Sequence, residues 1–323
     1  MDDPNIFHYV VRFGTAGYCR TGIDLSVIMS VYKNEVSPMA KFQFLLPVDG
    51  SEYSRVAIKH AMQMAEIYNA EISPIYVVDT RVHKDAEEIK EQTATGQSLV
   101  DAVRSQCKDR GIGVLETKVV AGSPYNEIIR EQRNIDASLI ILGACGADKT
   151  EGETIGSTAE RVLRGARCHI LLVRDKLEND EFYRNILIPS DGSDDAGYAA
   201  IFAASIARRY NSGLIACSMI RTGSKKDLAE AERITSDVAA LGKEKGIEAE
   251  TLVWEGKPAV EILKAIGAKH VDLAVIGYTG RGVVSRWVLG SVSEKVARTA
   301  PCSVMVVKSA RAERVYTVPK KVS

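Results

Sequence analysis

Gly277-Tyr-Thr-Gly280-Arg-Gly-Val-Val-Ser-Arg-Trp-Val-Leu-Gly290-Ser291 joins an apolar run to a helical pattern. Ahead of it, Asp272-Leu-Ala-Val-Ile276 reads as a buried strand. Behind it, Ser291-Val-Ser-Glu-Lys-Val-Ala297 places Ser at an N-cap with Glu294 three positions on, the capping-box spacing, so a helix is expected to begin at Gly290 or Ser291. The glycines admit positive φ and let backbone approach a ligand, which gives a phosphate cradle at a helix N-terminus. A single loop of this kind could also be a plain strand-to-helix turn. A second copy argues otherwise: Asp136-Ala-Ser-Leu-Ile-Ile-Leu142 leads into Gly143-Ala-Cys-Gly146, then Gly156-Ser157-Thr158, and an offset of 134 carries Gly143, Gly146 and Gly156 onto Gly277, Gly280 and Gly290.

Outward from these loops the whole chain repeats. The strand Phe42-Gln-Phe-Leu-Leu-Pro47-Val-Asp49 is followed by Gly50-Ser51 and a helix with the apolar stripe Ala57, Ala61, Met64, Ala65 and Tyr68. An offset of 142 gives Ile186-Leu-Ile-Pro189-Ser-Asp191 and the stripe Ala199, Ala203, Ile206, Ala207 and Tyr210. Each unit alternates strand and helix five times, the first with strands at Ile72–Val78, Val114–Val120 and His169–Val173, a charged helix from about Asp85 to Arg110, and a helix Tyr125–Arg130 begun by Pro124. The offset falls to 134 by Gly122-Ser-Pro124 against Gly256-Lys-Pro258, so eight residues are lost around the second helix. The expectation is an α/β fold: two tandem doubly wound domains, each with a five-stranded, mostly parallel sheet flanked by helices. Residues 1–40 match nothing else in the chain and form an extension, 41–174 and 183–309 form the domains, a polar linker joins them, and 310–323 form a tail.

With 323 residues, each half can bury its own core. Equal numbers of basic and acidic residues, 42 each, give no overall pull toward nucleic acid or an anionic membrane. No apolar run reaches a membrane span, and six cysteines without a C-x-x-C pair fit a reducing cytoplasm. The five histidines have no metal-ligand spacing, and no Walker-type Gly-Lys-Ser/Thr loop is present. Cys145 lies within the first glycine loop, but its counterpart is Thr279, which argues against a shared redox role.

Asp49 and Asp191 each end a first strand, where ligands of doubly wound sheets sit. Ionised Asp only accepts hydrogen bonds, which suits ribose hydroxyls or a base amino group. The alternative is that both only begin the following turn.

The Pro-x-Asp after strand one, the Gly-x-Pro before helix three, the glycine spacing and the ending Ala300-Pro-Cys-Ser-Val-Met-Val-Val307 resemble a tandem universal stress protein. The resemblance implies an adenine-nucleotide-binding fold, usually for ATP, sometimes with a divalent metal such as Mg or Mn at the phosphates. It places the base and ribose at Pro47, Asp49 and Val77, and the phosphates at Gly143, Gly146, Gly156, Ser157 and Thr158. In the second unit the matching positions are Pro189, Asp191, Met219, Gly277, Gly280, Gly290, Ser291 and Val292. Relatives with one unit commonly dimerise through the last strand, which implies an intrachain pairing of the two units and leaves homodimerisation open. The first loop departs from the pattern: it carries Asp148, Lys149, Glu151 and Glu153, a net −2, against Arg281 and Arg286 and no acid in the second, a net +2. The second site is therefore expected to bind ATP more tightly. A nucleotide-dependent regulator, a slow ATPase and a structural module with empty pockets remain the competing functions.

Overall fold

A computed structural model of the chain describes residues 42–146, 155–174, 182–281 and 288–308. The extension and tail, the linker at 175–181, and the loop charges at 148, 149, 151, 153 and 286 lie outside them.

The first unit runs β1 (Gln43–Pro47), α1 (Glu52–Tyr68), β2 (Glu71–Asp79), α2 (Ala86–Asp109), β3 (Gly113–Val114), β4 (Lys118–Gly122), α3 (Pro124–Asn134), β5 (Leu139–Gly143), α4 (Ser157–Gly165) and β6 (His169–Val173). The second runs β7 (Asn185–Pro189), α5 (Asp194–Tyr210), β8 (Gly213–Ile220), α6 (Lys225–Glu244), β9 (Ala249–Glu255), α7 (Pro258–Ala268), β10 (Leu273–Gly277), α8 (Ser291–Thr299) and β11 (Ser303–Val307). Of the eight residues lost between the repeats, four leave the second helix itself, which shortens from 24 residues in α2 to 20 in α6.

Local chemistry sets the helix ends. Ser51 and Ser193 cap α1 and α5 by accepting from Ser54 N and Ala196 N. Asn69 and Asn211 end the same helices in the left-handed region, at φ 49° and 54°, which Asn tolerates better than most residues. The third strand of the first unit is not the single run Val114–Val120: it breaks into β3 and β4 around Leu115, Glu116 and Thr117, while β9 is unbroken. Both pieces pair with β2, and the Leu115 side chain turns outward where an unbroken buried strand would have held it. Helix α3 reaches Asn134, beyond the expected Arg130, because the buried Ile128, Ile129, Glu131 and Gln132 keep its inner face packed.

The strands form one sheet in the order β3-β2-β1-β5-β6-β11-β10-β7-β8-β9, with β4 also on β2. Among the described strands every pairing is parallel except β6 with β11. There Val304, Met305 and Val306 face Leu172, Leu171 and Ile170. The offset of 134 exchanges these pairs with one another, so a local twofold passes between Leu171 and Met305. The halves thus meet edge to edge through their last strands, and each covers the other's open edge. Alternation along each strand sorts the core into two layers. Phe44, Leu46, Leu171 and Met305 pack under α1, α2, α5 and α6, and Leu45, Ile170, Val304 and Val306 pack under α3, α4, α7 and α8.

Candidate nucleotide site

In each unit the chain leaves the first strand on one side for the second strand and returns on the other side as the strand before the glycine loop. The crevice at this switch point lies between β1 and β5, and again between β7 and β10. Pro47 and Asp49, Pro189 and Asp191, Val77 and Met219, and the three spaced glycines of each loop all stand at these carboxyl ends. Ser157, Thr158, Ser291 and Val292 lie in the first turns of α4 and α8.

In the second unit Asp191 ties the crevice together. Its Oδ1 accepts from Ser193 N at 3.0 Å, and its Oδ2 accepts from Arg281 N, across the crevice, at 2.7 Å. The turn reading of the aspartate is therefore correct, and so is its place beside the loop. Asp49 repeats the first bond, accepting from Ser51 N at 2.9 Å. Both carboxylates are exposed, and each oxygen keeps a lone pair for a ligand hydroxyl.

None of the three spaced glycines of either loop takes the positive φ that the sequence admits, and the first two of each loop are needed for close packing within the protein. At the crevice positive φ falls at Gly50 and Gly192, directly after the aspartates, and not at Gly143, Gly146, Gly156, Gly277, Gly280 or Gly290. A Cβ on Gly277 would stand 2.7 Å from the Asp195 carbonyl carbon, so this glycine lets the start of α5 sit on the strand end; Gly143 does the same beneath Tyr53. A Cβ on Gly280 would stand 2.7 Å from Asp191 Oδ2, and one on Gly146 would stand 3.0 Å from Asp49 Oδ2. The second glycine thus admits the carboxylate. A Cβ on Gly290 would lie 3.4 Å from Gly280 N, and one on Gly156 the same distance from Gly146 N. The third glycine therefore leaves room beside a backbone N–H, and in the second unit beside Tyr278 O as well, also at 3.4 Å. No described residue accepts from the N–H of Gly280. The first N–H groups of α8 point the same way, since a helix has no internal partners for them.

Helix α8 begins where expected, but with a different cap. Gly290 is the N-cap and Ser291 the first helical residue, so no capping box forms, and Glu294 turns to Arg164 of the first unit at 2.5 Å. The hydroxyl that secures the turn is Ser293 Oγ, which donates to Gly277 O at 2.7 Å.

Several residues at the site are invisible to a search for shared features. Buried Asp195 accepts from Thr279 N at 2.9 Å and Thr279 Oγ1 at 2.6 Å, pinning the second loop. Tyr53 and Cys145 hold those positions in the first unit. Glu230 of α6 meets Arg281 Nη1 at 2.5 Å, and the Arg281 guanidinium lies over Gly192. The +2 counted within the second loop is thus partly offset by an acid from another element. Cys145 is buried and reduced, like the other four described cysteines. Among the described residues no three His, Cys, Asp or Glu side chains gather to hold a metal, and no helix is long and apolar enough to cross a membrane.

A tandem, doubly wound α/β protein with an aspartate and a glycine loop meeting at each switch point is the class that these features define. The profile of the universal stress protein family matches residues 43–174 and 182–308, and the chain belongs to that family. A universal stress protein of Mycobacterium tuberculosis is 23% identical over 290 residues, covering 82% of this chain and 95% of its own length. One from Methanocaldococcus jannaschii is 31% identical over 158 residues, 46% of this chain and 89% of that protein. The crystal structure of a universal stress protein from Archaeoglobus fulgidus superposes with a TM-score of 0.66 at 24% identity, covering 82% of this chain and 98% of that one.

Proposed function

We propose that this chain is a regulatory stress-response protein that binds an adenine nucleotide, with ATP the ligand of its second site. The observation that carries the reading is the approach of Asp191 Oδ2 to Arg281 N, 2.7 Å across the crevice. It sets a carboxylate acceptor beside a run of outward N–H donors. A ligand with hydroxyls at one end and anionic phosphates at the other complements that pair.

Pro189 and Met219 would bound the base and ribose with Asp191, and Gly280, Gly290, Ser291 and Val292 would hold the phosphates. Pro47, Val77, Asp49, Gly143, Gly146, Gly156, Ser157 and Thr158 form the first site. A Mg or Mn ion would arrive with the nucleotide, its charge neutralised by phosphate rather than by a protein cage. Nucleotide binding then acts by favouring one conformation or partner-binding state over another, and hydrolysis is at most slow.

Calorimetric titration with Mg-ATP tests this on the full chain. Wild type should bind, and Asp191→Ala should weaken binding by about tenfold, the worth of one charge-assisted hydrogen bond. Failure of ATP, ADP and AMP alike to bind would remove the reading. Phosphate release well above background would favour the ATPase.

A further inference from the structure

The two short helices that carry the phosphate cradles end against the opposite unit. Arg174, just past β6, donates through Nη2 to Ala297 O at 2.6 Å and Arg298 O at 3.1 Å, in the last turn of α8. Lys308, the residue 134 positions later, does the reciprocal: buried past β11, its Nζ donates to Ala166 O, the C-cap of α4. Tyr278 adds a bond from its hydroxyl to Arg164 O at 3.0 Å in the same helix, and its ring lies 3.9 Å from the Lys308 ammonium. Beside these caps Glu160 and Glu294 share Arg164 and Arg298 across the seam.

We infer that Arg174 is a positioning residue for the phosphate cradle of the second unit, and that Lys308 is one for the cradle of the first. Each half completes the other half's ligand site from behind. This rests on the nucleotide reading above for what the cradles hold.

The physical case turns on helix length. Helices α4 and α8 have nine residues each, too short to persist alone, so the position of their first turn depends on what anchors their last. The final carbonyls of a helix lack internal partners, and a cation there satisfies them and complements the dipole. Direct attraction between Arg174 and a phosphate at the far end is minor, because the dipole effect is confined to the terminal turns. Anchorage is the larger effect. Arg174 also receives support where it stands, since its N–H donates to Ser303 Oγ at 3.1 Å, and Lys308 N donates to His169 Nδ1 at 3.2 Å.

Two measurements on the full chain test the inference. In amide hydrogen exchange without nucleotide, Arg174→Gln should speed exchange across 291–299 and leave 157–165 unchanged, while Lys308→Met should do the reverse. In calorimetry with Mg-ATP, Arg174→Gln should weaken the second site by about tenfold, within the range of a helix-terminal charge, and Arg174→Lys should recover part of the loss. Unchanged exchange in α8, equal loosening of both helices by either variant, or wild-type affinity in Arg174→Gln would overturn the positioning role. Absence of ATP binding by wild type would instead defeat the nucleotide reading, and the exchange data would still decide whether the caps hold the helices.

Discussion

Asp191 and Asp49 occupy the same place in the two repeats, yet their surroundings differ in what holds the loop opposite. In the second unit Asp195 fixes both the amide and the hydroxyl of Thr279, which holds the Gly280 region in place before a ligand arrives. The first unit has Tyr53 and Cys145 there, so the carboxylate–threonine pair is not repeated. Gly290→Val should therefore cost more ATP affinity than Gly156→Val, because it obstructs the better organised of two cradles. Neither position needs positive φ, so both variants should fold. Equal losses in calorimetry, or a larger loss from Gly156→Val, would refute the asymmetry. The aspartates and the glycine spacing were legible in the sequence because they occur twice. Asp195, Glu230 and Tyr278 were not, because each acts in only one unit, and comparing repeats discards what the repeats do not share. The reason for each glycine was also hidden, since backbone freedom and close approach leave the same residue in the sequence.

Helix α2 shows how strand and helix fix one another. Gly96 sits in its middle, where Ala would ordinarily stabilise a helix by about 1 kcal/mol. A Cβ there would lie 2.2 Å from Cδ1 of the Tyr76 ring, which is buried on β2 with its hydroxyl donating to Gln92 at 2.9 Å. Overpacking of this kind costs about 1–3 kcal/mol, so Gly96→Ala should lower the urea midpoint despite its better helix propensity. Adding Tyr76→Ser, the residue at the matching position 218, should relieve the clash, and a single variant as stable as wild type would show that the ring can move aside. Elements with a long period or a buried run, such as α1, α5, β6 and β10, could be read directly from residue spacing. The break between β3 and β4 could not, because Val114 to Val120 holds enough β-branched residues to pass for one strand. The cap of α8 falls one residue before the expected Ser291 for a related reason: Ser291 and Glu294 have capping-box spacing, but Glu294 is drawn to Arg164 of the other unit and to Arg298 of its own helix.

Across the whole molecule, stability depends on a seam and on two buried histidines. Leu172 and Val306 are fully buried where β6 meets β11, so Leu172→Lys should destabilise the chain by more than about 3 kcal/mol through an unpaired buried charge. Unchanged urea midpoint and hydrodynamic size would show that the seam contributes little. Burial pushes His60 down to about 3, and burial with the Lys308 charge nearby does the same to His169, against an ordinary value of 6.5. His60 Nδ1 stands 2.5 Å from Tyr183 Oη, and the His169 ring packs 4.5 Å from that of Phe202, so both sit between the units. The folded chain keeps them neutral while the unfolded chain protonates them below 6.5. Their contribution is therefore complete above that pH and lost as pH falls toward 3, at about 1.4 kcal/mol per pH unit for each histidine. Urea midpoints from pH 7 to 5 should fall, less steeply in His60→Gln; an identical slope in the variant would exclude this histidine as a source.

The seam between β6 and β11 joins equivalent strands, as a symmetric two-chain assembly would, but both strands belong to one polypeptide. Opening it is therefore a unimolecular event, and reclosure proceeds at an effective concentration set by the tether rather than by the amount of protein present. Dilution cannot dissociate it. Substitution also acts on one side at a time, whereas in a symmetric pair of identical chains every change appears twice. Tyr278 could thus arise opposite Ala144, and Lys308 opposite Arg174, without the partner position following. Covalent joining frees the halves to diverge, so one cradle can be tuned for a ligand while the other changes its task.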